Sequence, residues 1–166
     1  MFPIILPADP ARGQAFFRTK VIETISLDNL RDERVLLGIR RDVDYVSKLL
    51  FCSLQFATDD RFAAWGGGPF TDPEIAPIAH KIAHGAIEDK SAQAVADRLL
   101  VRLGLFERRI WRPEILSLER HGGALYLRAA QVNEPPLRQQ LESMAYHFLP
   151  WTEVLNTLAR RGSLSI

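Results

Sequence analysis

The sequence predicts a mainly α, α+β domain, and three observations predict it. An apolar stripe at helical spacing runs from Leu36 to Ala57, Asp72-Pro73-Glu74 has the residues of a helix start, and Gly122-Gly123 separates two short alternating runs. The first two place helices; the third places one small β-hairpin near 115–130. With 166 residues the chain reads as a single globular domain, 1–166, preceded within it by an extended N-terminal arm over 1–10. A domain of that size buries roughly 70% of the surface its unfolded chain exposes.

Each element follows from local chemistry. Prolines at 3, 7 and 10 keep the first ten residues extended, because the ring fixes φ and removes a donor. From Ala15 to Leu27 the β-branched, partly alternating run Lys20-Val21-Ile22-Glu23-Thr24-Ile25-Ser26-Leu27 reads as an N-terminal strand, with a helix as the competing reading. Asp28 suits the N-cap of the element that follows. There Leu36, Ile39, Val43, Val46, Leu50, Leu54 and Ala57 recur every three or four residues. That spacing gathers them on one face and leaves Arg40, Arg41, Asp44 and Lys48 off it.

Trp65-Gly66-Gly67-Gly68-Pro69 reads as a loop and lacks the glycine spacing of a phosphate cradle. Asp72, Pro73 and Glu74 then supply a cap, a proline at the first helical position and an acid for the positive helix end. Ile75, Ile78 and Ile82 form that helix's apolar face. The next helix begins near Ser91, with Ala92, Val95, Leu99, Leu103 and Phe106 as its buried row. The runs 115–120 and 124–128 flank His121-Gly122-Gly123 as a hairpin would, the alternative being a short helix broken at the glycines. After Pro135-Pro136, the stripe Leu137, Leu141, Met144 and Phe148 makes a helix that Pro150 ends, and Val154, Leu155 and Leu158 mark a last short one.

Composition narrows the function classes. Apolar residues at 47% and charged residues at 25% are the balance of a folded domain. The single cysteine, Cys52, excludes an intramolecular disulfide framework and, inside Leu49-Leu50-Phe51, reads as a small buried hydrophobe. No run of 18 apolar residues suggests a membrane span, and the opening segment lacks the basic start of a signal peptide, so the expected location is cytoplasmic. Charge is uneven: residues 1–97 carry 11 basic against 14 acidic side chains, and 98–166 carry 10 arginines against 6 glutamates. GC-rich coding explains such an arginine bias; a surface that grips carboxylates or phosphates explains it too.

Three constellations bear on chemistry. His80, His84 and Glu88 stand at intervals of four, and one helix would put them in a row able to share a metal. His121 or His147 could complete such a site by folding. Lys81 stands where a zinc protease would have its glutamate base, so the likeness ends at spacing, and a solvated helix face is the plainer reading. Second, Arg98, Arg102, Arg108, Arg109, Arg112, Arg120 and Arg128 crowd one stretch with few glutamates. The helix–helix–hairpin order from 73 to 130 resembles a winged helix-turn-helix, which implies a helix in the major groove and a hairpin on backbone phosphates. Third, Phe62, Trp65, Phe70, Trp111 and Trp151 fall outside the periodic stripes, where aromatic residues either anchor interfaces or plug the ends of a core. The carboxylate pairs Asp42/Asp44 and Asp59/Asp60 read as surface charge, and no G-x-S-x-G elbow is present.

The sequence therefore points first to a non-catalytic adaptor or subunit that binds another macromolecule, with a protein partner or a second copy of the chain as occupant, in a larger bacterial-type assembly. A nucleic-acid-binding protein using residues 98–128 is the alternative. A metal-dependent enzyme using His80, His84 and Glu88 ranks third. No cofactor is expected.

Overall fold

The computed structural model describes residues 10–27, 33–55, 81, 84–105 and 112–160. These form six α-helices: α1 (Pro10–Leu27), α2 (Glu33–Gln55), α3 (Asp89–Leu105), α4 (Arg112–Gln131), α5 (Leu137–Tyr146) and α6 (Phe148–Arg160). No strand occurs among the described residues, so the fold there is helical.

The clearest stripe folds as its spacing predicts. In α2, Ile39, Val43, Val46 and Leu50 are buried, while Arg40, Arg41, Asp44 and Lys48 face solvent. The strand expected from Ala15 to Leu27 is instead part of α1. Phe17, Val21 and Ile25 recur at intervals of four and are almost fully buried, so packing of a helical face outweighs the β preference of branched residues. Thr24 turns its hydroxyl back to the Lys20 carbonyl (2.8 Å), satisfying itself within the helix.

The expected hairpin at 115–130 is likewise helix, the body of α4. Its glycines serve close packing and not a turn. A Cβ on Gly122 would collide with the tip of the Phe148 ring, and one on Gly123 would lie 3.0 Å from the Ala145 carbonyl oxygen. Bare backbone lets α4 come down onto α5 and α6 there. Leu118, Leu125, Tyr126 and Ala129 then form its buried face at helical intervals.

α3 lies at the centre, packed on α4 and α6, while α1 lies on α2 and α6, and α5 on α4 and α2. Ala92, Ala96, Leu99 and Leu103 supply its buried side. The final break comes at His147, one residue before α6. Pro150 therefore sits in the first turn of α6, where its missing N–H breaks no helical bond. One apolar cluster includes residues of all six helices, with Trp151, Tyr126 and Phe17 its largest fully buried members.

Candidate functional site

Polar side chains converge at two places inside this bundle. At the first, Asp97 of α3 meets a tyrosine from each neighbour. Tyr45 of α2 donates to Asp97 Oδ1 at 2.7 Å, and Tyr126 of α4 donates to the same oxygen at 2.6 Å. Gln93, one turn before Asp97, donates to the Tyr45 hydroxyl at 3.1 Å, so that hydroxyl both gives and accepts. The tyrosine rings stand edge to face with centroids 6.4 Å apart.

Burial disfavours every charged form in this cluster. It pushes the Asp97 carboxyl up to about 6, even though both tyrosine hydroxyls act to lower it. Burial, followed by the nearby Asp97 charge, lifts Tyr45 and Tyr126 far above the ordinary phenol range, so both remain donors. A carboxyl displaced toward neutrality at the edge of a cleft is a recognised mark of a functional site.

Such a cleft is present. Between α2 and α3 lies a hollow of about 570 Å³. Tyr45, Lys48, Leu49 and Cys52 line it from one stripe of α2, Gln93 and Asp97 line it from α3, and Leu137 closes it at the start of α5. Its volume lies within the range of about 300–1,000 Å³ usual for small-molecule sites. The Cys52 thiol is raised above its ordinary value, chiefly by burial, which keeps it protonated and a poor nucleophile.

The second convergence is Asp42 of α2, fully buried. Its Oδ1 accepts from Gln140 (2.8 Å) and Ser143 (2.7 Å) of α5, and its Oδ2 accepts from the Trp151 indole of α6 (3.2 Å). His147 brings its Nδ1 within 3.4 Å of Oδ2. Ser, His and Asp therefore meet, but without the relay of a hydrolase. That mechanism needs one imidazole nitrogen on the carboxylate and the other on the hydroxyl. Here Nδ1 lies near Asp42 Oδ2, Ser143 Oγ (3.4 Å) and the Ser143 carbonyl (2.8 Å). Nε2 is pressed against Gly38, where a Cβ would collide with the ring. The serine hydroxyl is spent on Asp42. This cluster ties helices together.

The sequence-predicted residues are placed as follows. Trp151 is a core side chain with no exposed surface, held there by apolar neighbours and by Asp42. Phe62, Trp65, Phe70 and Trp111 lie outside the described residues, as does His80. His84 and Glu88 are both exposed, but a turn at 84–85 separates them, so the helical row that would join them does not extend to Glu88. Glu88 lies instead 3.1 Å from Lys90. His121 is exposed on α4 and His147 adjoins Asp42. Among the described residues no group of three or more His, Cys, Asp or Glu could hold a metal ion.

Among the described residues, the arginines of this stretch have different settings. Arg102 is 3% exposed and belongs to the interior of α3. Arg128 is committed to Asp89 at 2.8 Å and to the Ile87 carbonyl at 2.5 Å. Arg98 is partly buried, Arg120 is exposed, Arg112 opens α4, and Arg108 and Arg109 lie outside the described residues. With 115–130 helical, the wing of a winged helix is absent from that stretch. No helix among the described residues is long and apolar enough to cross a membrane.

Asp44 is exposed as expected, but Asp42, read from the sequence as surface charge, is buried because Gln140, Ser143 and Trp151 supply it with donors, and sequence reasoning missed Asp97, Tyr45 and Tyr126. Asp42 carried a legible signal: it lies three residues after Ile39 and four before Val46, on the apolar stripe itself. Compared with protein-family models, with curated proteins and with solved structures, the chain matches none.

Proposed function

We propose that this chain is a non-catalytic adaptor or subunit that works by binding another macromolecule in a larger assembly. The observation that carries the reading is a pair of exposed rows beside one close helix contact, where Gly38 of α2 meets His147 between α5 and α6. On α2 the row is Arg34, Leu37 and Arg41; on α5 and α6 it is Glu142, Tyr146, Leu149 and Glu153. Leu37 is 57% exposed, Tyr146 87% and Leu149 50%. Large apolar side chains left in water beside charges of set sign suit a protein contact, and tyrosine is a frequent anchor in one.

The occupant that suits both rows is a second copy of the chain. In a two-fold pair the basic row of one protomer faces the acidic row of the other, each with an apolar centre.

The test is solution mass by light scattering over a range of concentrations. The expected result is a dimer fraction that grows with concentration, and a monomer for Tyr146→Glu with an unchanged helical spectrum. A pull-down from the native host, run with both proteins, covers a different protein partner, which Tyr146→Glu should lose. A wild-type chain that stays monomeric throughout, with no partner sensitive to Tyr146, would defeat the proposal. Salt-sensitive binding to DNA or RNA would instead favour the alternative function.

A further inference from the structure

We propose that the cleft between α2 and α3 binds a small organic ammonium compound, its charged nitrogen paired with Asp97 and its hydrocarbon part against Tyr45, Leu49 and Leu137. This stands apart from the adaptor reading and uses different residues.

Four features select that chemistry. First, both tyrosine hydroxyls converge on Oδ1 of Asp97, so Oδ2 lies outside those two bonds while the residue lines the cleft. A carboxylate withdrawn from water is costly unless it meets a cation or enough donors. Two donors do not suffice here, since burial still outweighs them. A bound ammonium would supply both the missing charge and the missing N–H donors.

Second, the walls are aromatic and aliphatic, and the space suits a compound of modest size. Sites of this kind arise between the helices of bundles. Third, an anion is disfavoured, because Asp97 would repel it and the tyrosine protons are already directed at Oδ1. Fourth, among the described residues the cleft's lining contains a single cation, Lys48, whose side chain is exposed at the rim. There, water and salt reduce its repulsion of an incoming amine without abolishing it. The Cys52 thiol adds no charge.

Three probes with related skeletons separate the possibilities: phenethylamine, 2-phenylethanol and 3-phenylpropionate. The chain has three tyrosines, Tyr45, Tyr126 and Tyr146, so carbon-13 labelling of tyrosine in the full chain gives a simple NMR readout. Phenethylamine is expected to shift the Tyr45 and Tyr126 ring signals and leave the exposed Tyr146 in place. The alcohol and the acid, at equal concentration, are expected to shift none.

Asp97→Asn keeps an acceptor for the tyrosines but removes the charge, and amine binding should weaken roughly tenfold or more. Lys48→Glu replaces an exposed rim cation and should strengthen amine binding several-fold. Equal shifts from amine and alcohol would overturn the proposal, as would undiminished amine binding by folded Asp97→Asn. If Asp97→Asn does not fold, Lys48→Glu decides the matter: amine binding no tighter than wild type overturns it.

Discussion

A carboxylate inside a helical core destabilises the fold unless donors surround it, and the two here meet that demand differently. Asp42 has Gln140, Ser143 and the Trp151 indole divided over both its oxygens. Asp97 has two tyrosines on one oxygen, and its ordinary value of 3.8 rises to about 6 because burial dominates. Between those two values the folded chain holds more of a proton at Asp97 than the unfolded chain does. The contribution of Asp97 to stability therefore falls as pH rises from about 4 to about 6, and the full penalty, on the order of 3 kcal/mol, stands above that window. Asp97→Asn has no such titration. Urea unfolding of both proteins between pH 4 and 7 should show the variant gaining on the wild type as pH increases. A difference between the two that stays level across the window rules this out.

At the scale of elements, α4 shows how one pattern admits two structures. Gly-Gly between alternating runs is a fair hairpin signal, yet Leu118, Gly122, Leu125 and Ala129 also recur every three or four residues, and that period won. What decides is a partner the sequence cannot display: Phe148, more than twenty residues on, whose ring occupies the space a side chain at 122 would need. Gly122→Ala is therefore expected to destabilise the fold by about 1–3 kcal/mol through overpacking. Phe148→Leu, which shortens the obstructing ring, should recover part of that loss when combined with it. A double-mutant cycle in urea measures the coupling. Independent, additive effects would mean that 122 and 148 do not meet.

The same reasoning marks what was legible. The stripe of α2 was plain because no competing period fits it, and the buried rows of α3 and α6 followed similarly. α1 was ambiguous, since Val21, Thr24 and Ile25 satisfy a partly alternating reading as well as a helical one, and only contact with other helices chooses between them. The candidate cleft was not legible. Asp97 lies 52 residues after Tyr45 and 29 before Tyr126, and polar residues so spaced announce no convergence.

For the molecule as a whole, fully buried Asp42 and partly buried Asp97 explain why the helices should come apart together. Asp42 joins α2 to α5 and α6, and Asp97 joins α3 to α2 and α4. α1 is tied to α2 by Arg18 on Asp44 at 2.8 Å and by Phe17, Val21 and Ile25 in the shared apolar cluster. Each polar junction needs three helices in place at once, so losing one helix strands buried donors on two others. Partial unfolding thus exposes apolar surface and leaves polar groups unmade, which favours a single transition. Cys52, half-buried on the cleft wall, offers a local probe on α2, because its raised thiol value should keep it slow toward a thiol reagent in the folded chain. Its accessibility and the helical circular dichroism should rise and fall at the same urea concentration. If the thiol opens well before helicity is lost, α2 separates from the rest, and the two carboxylates do not bind the molecule into one cooperative unit.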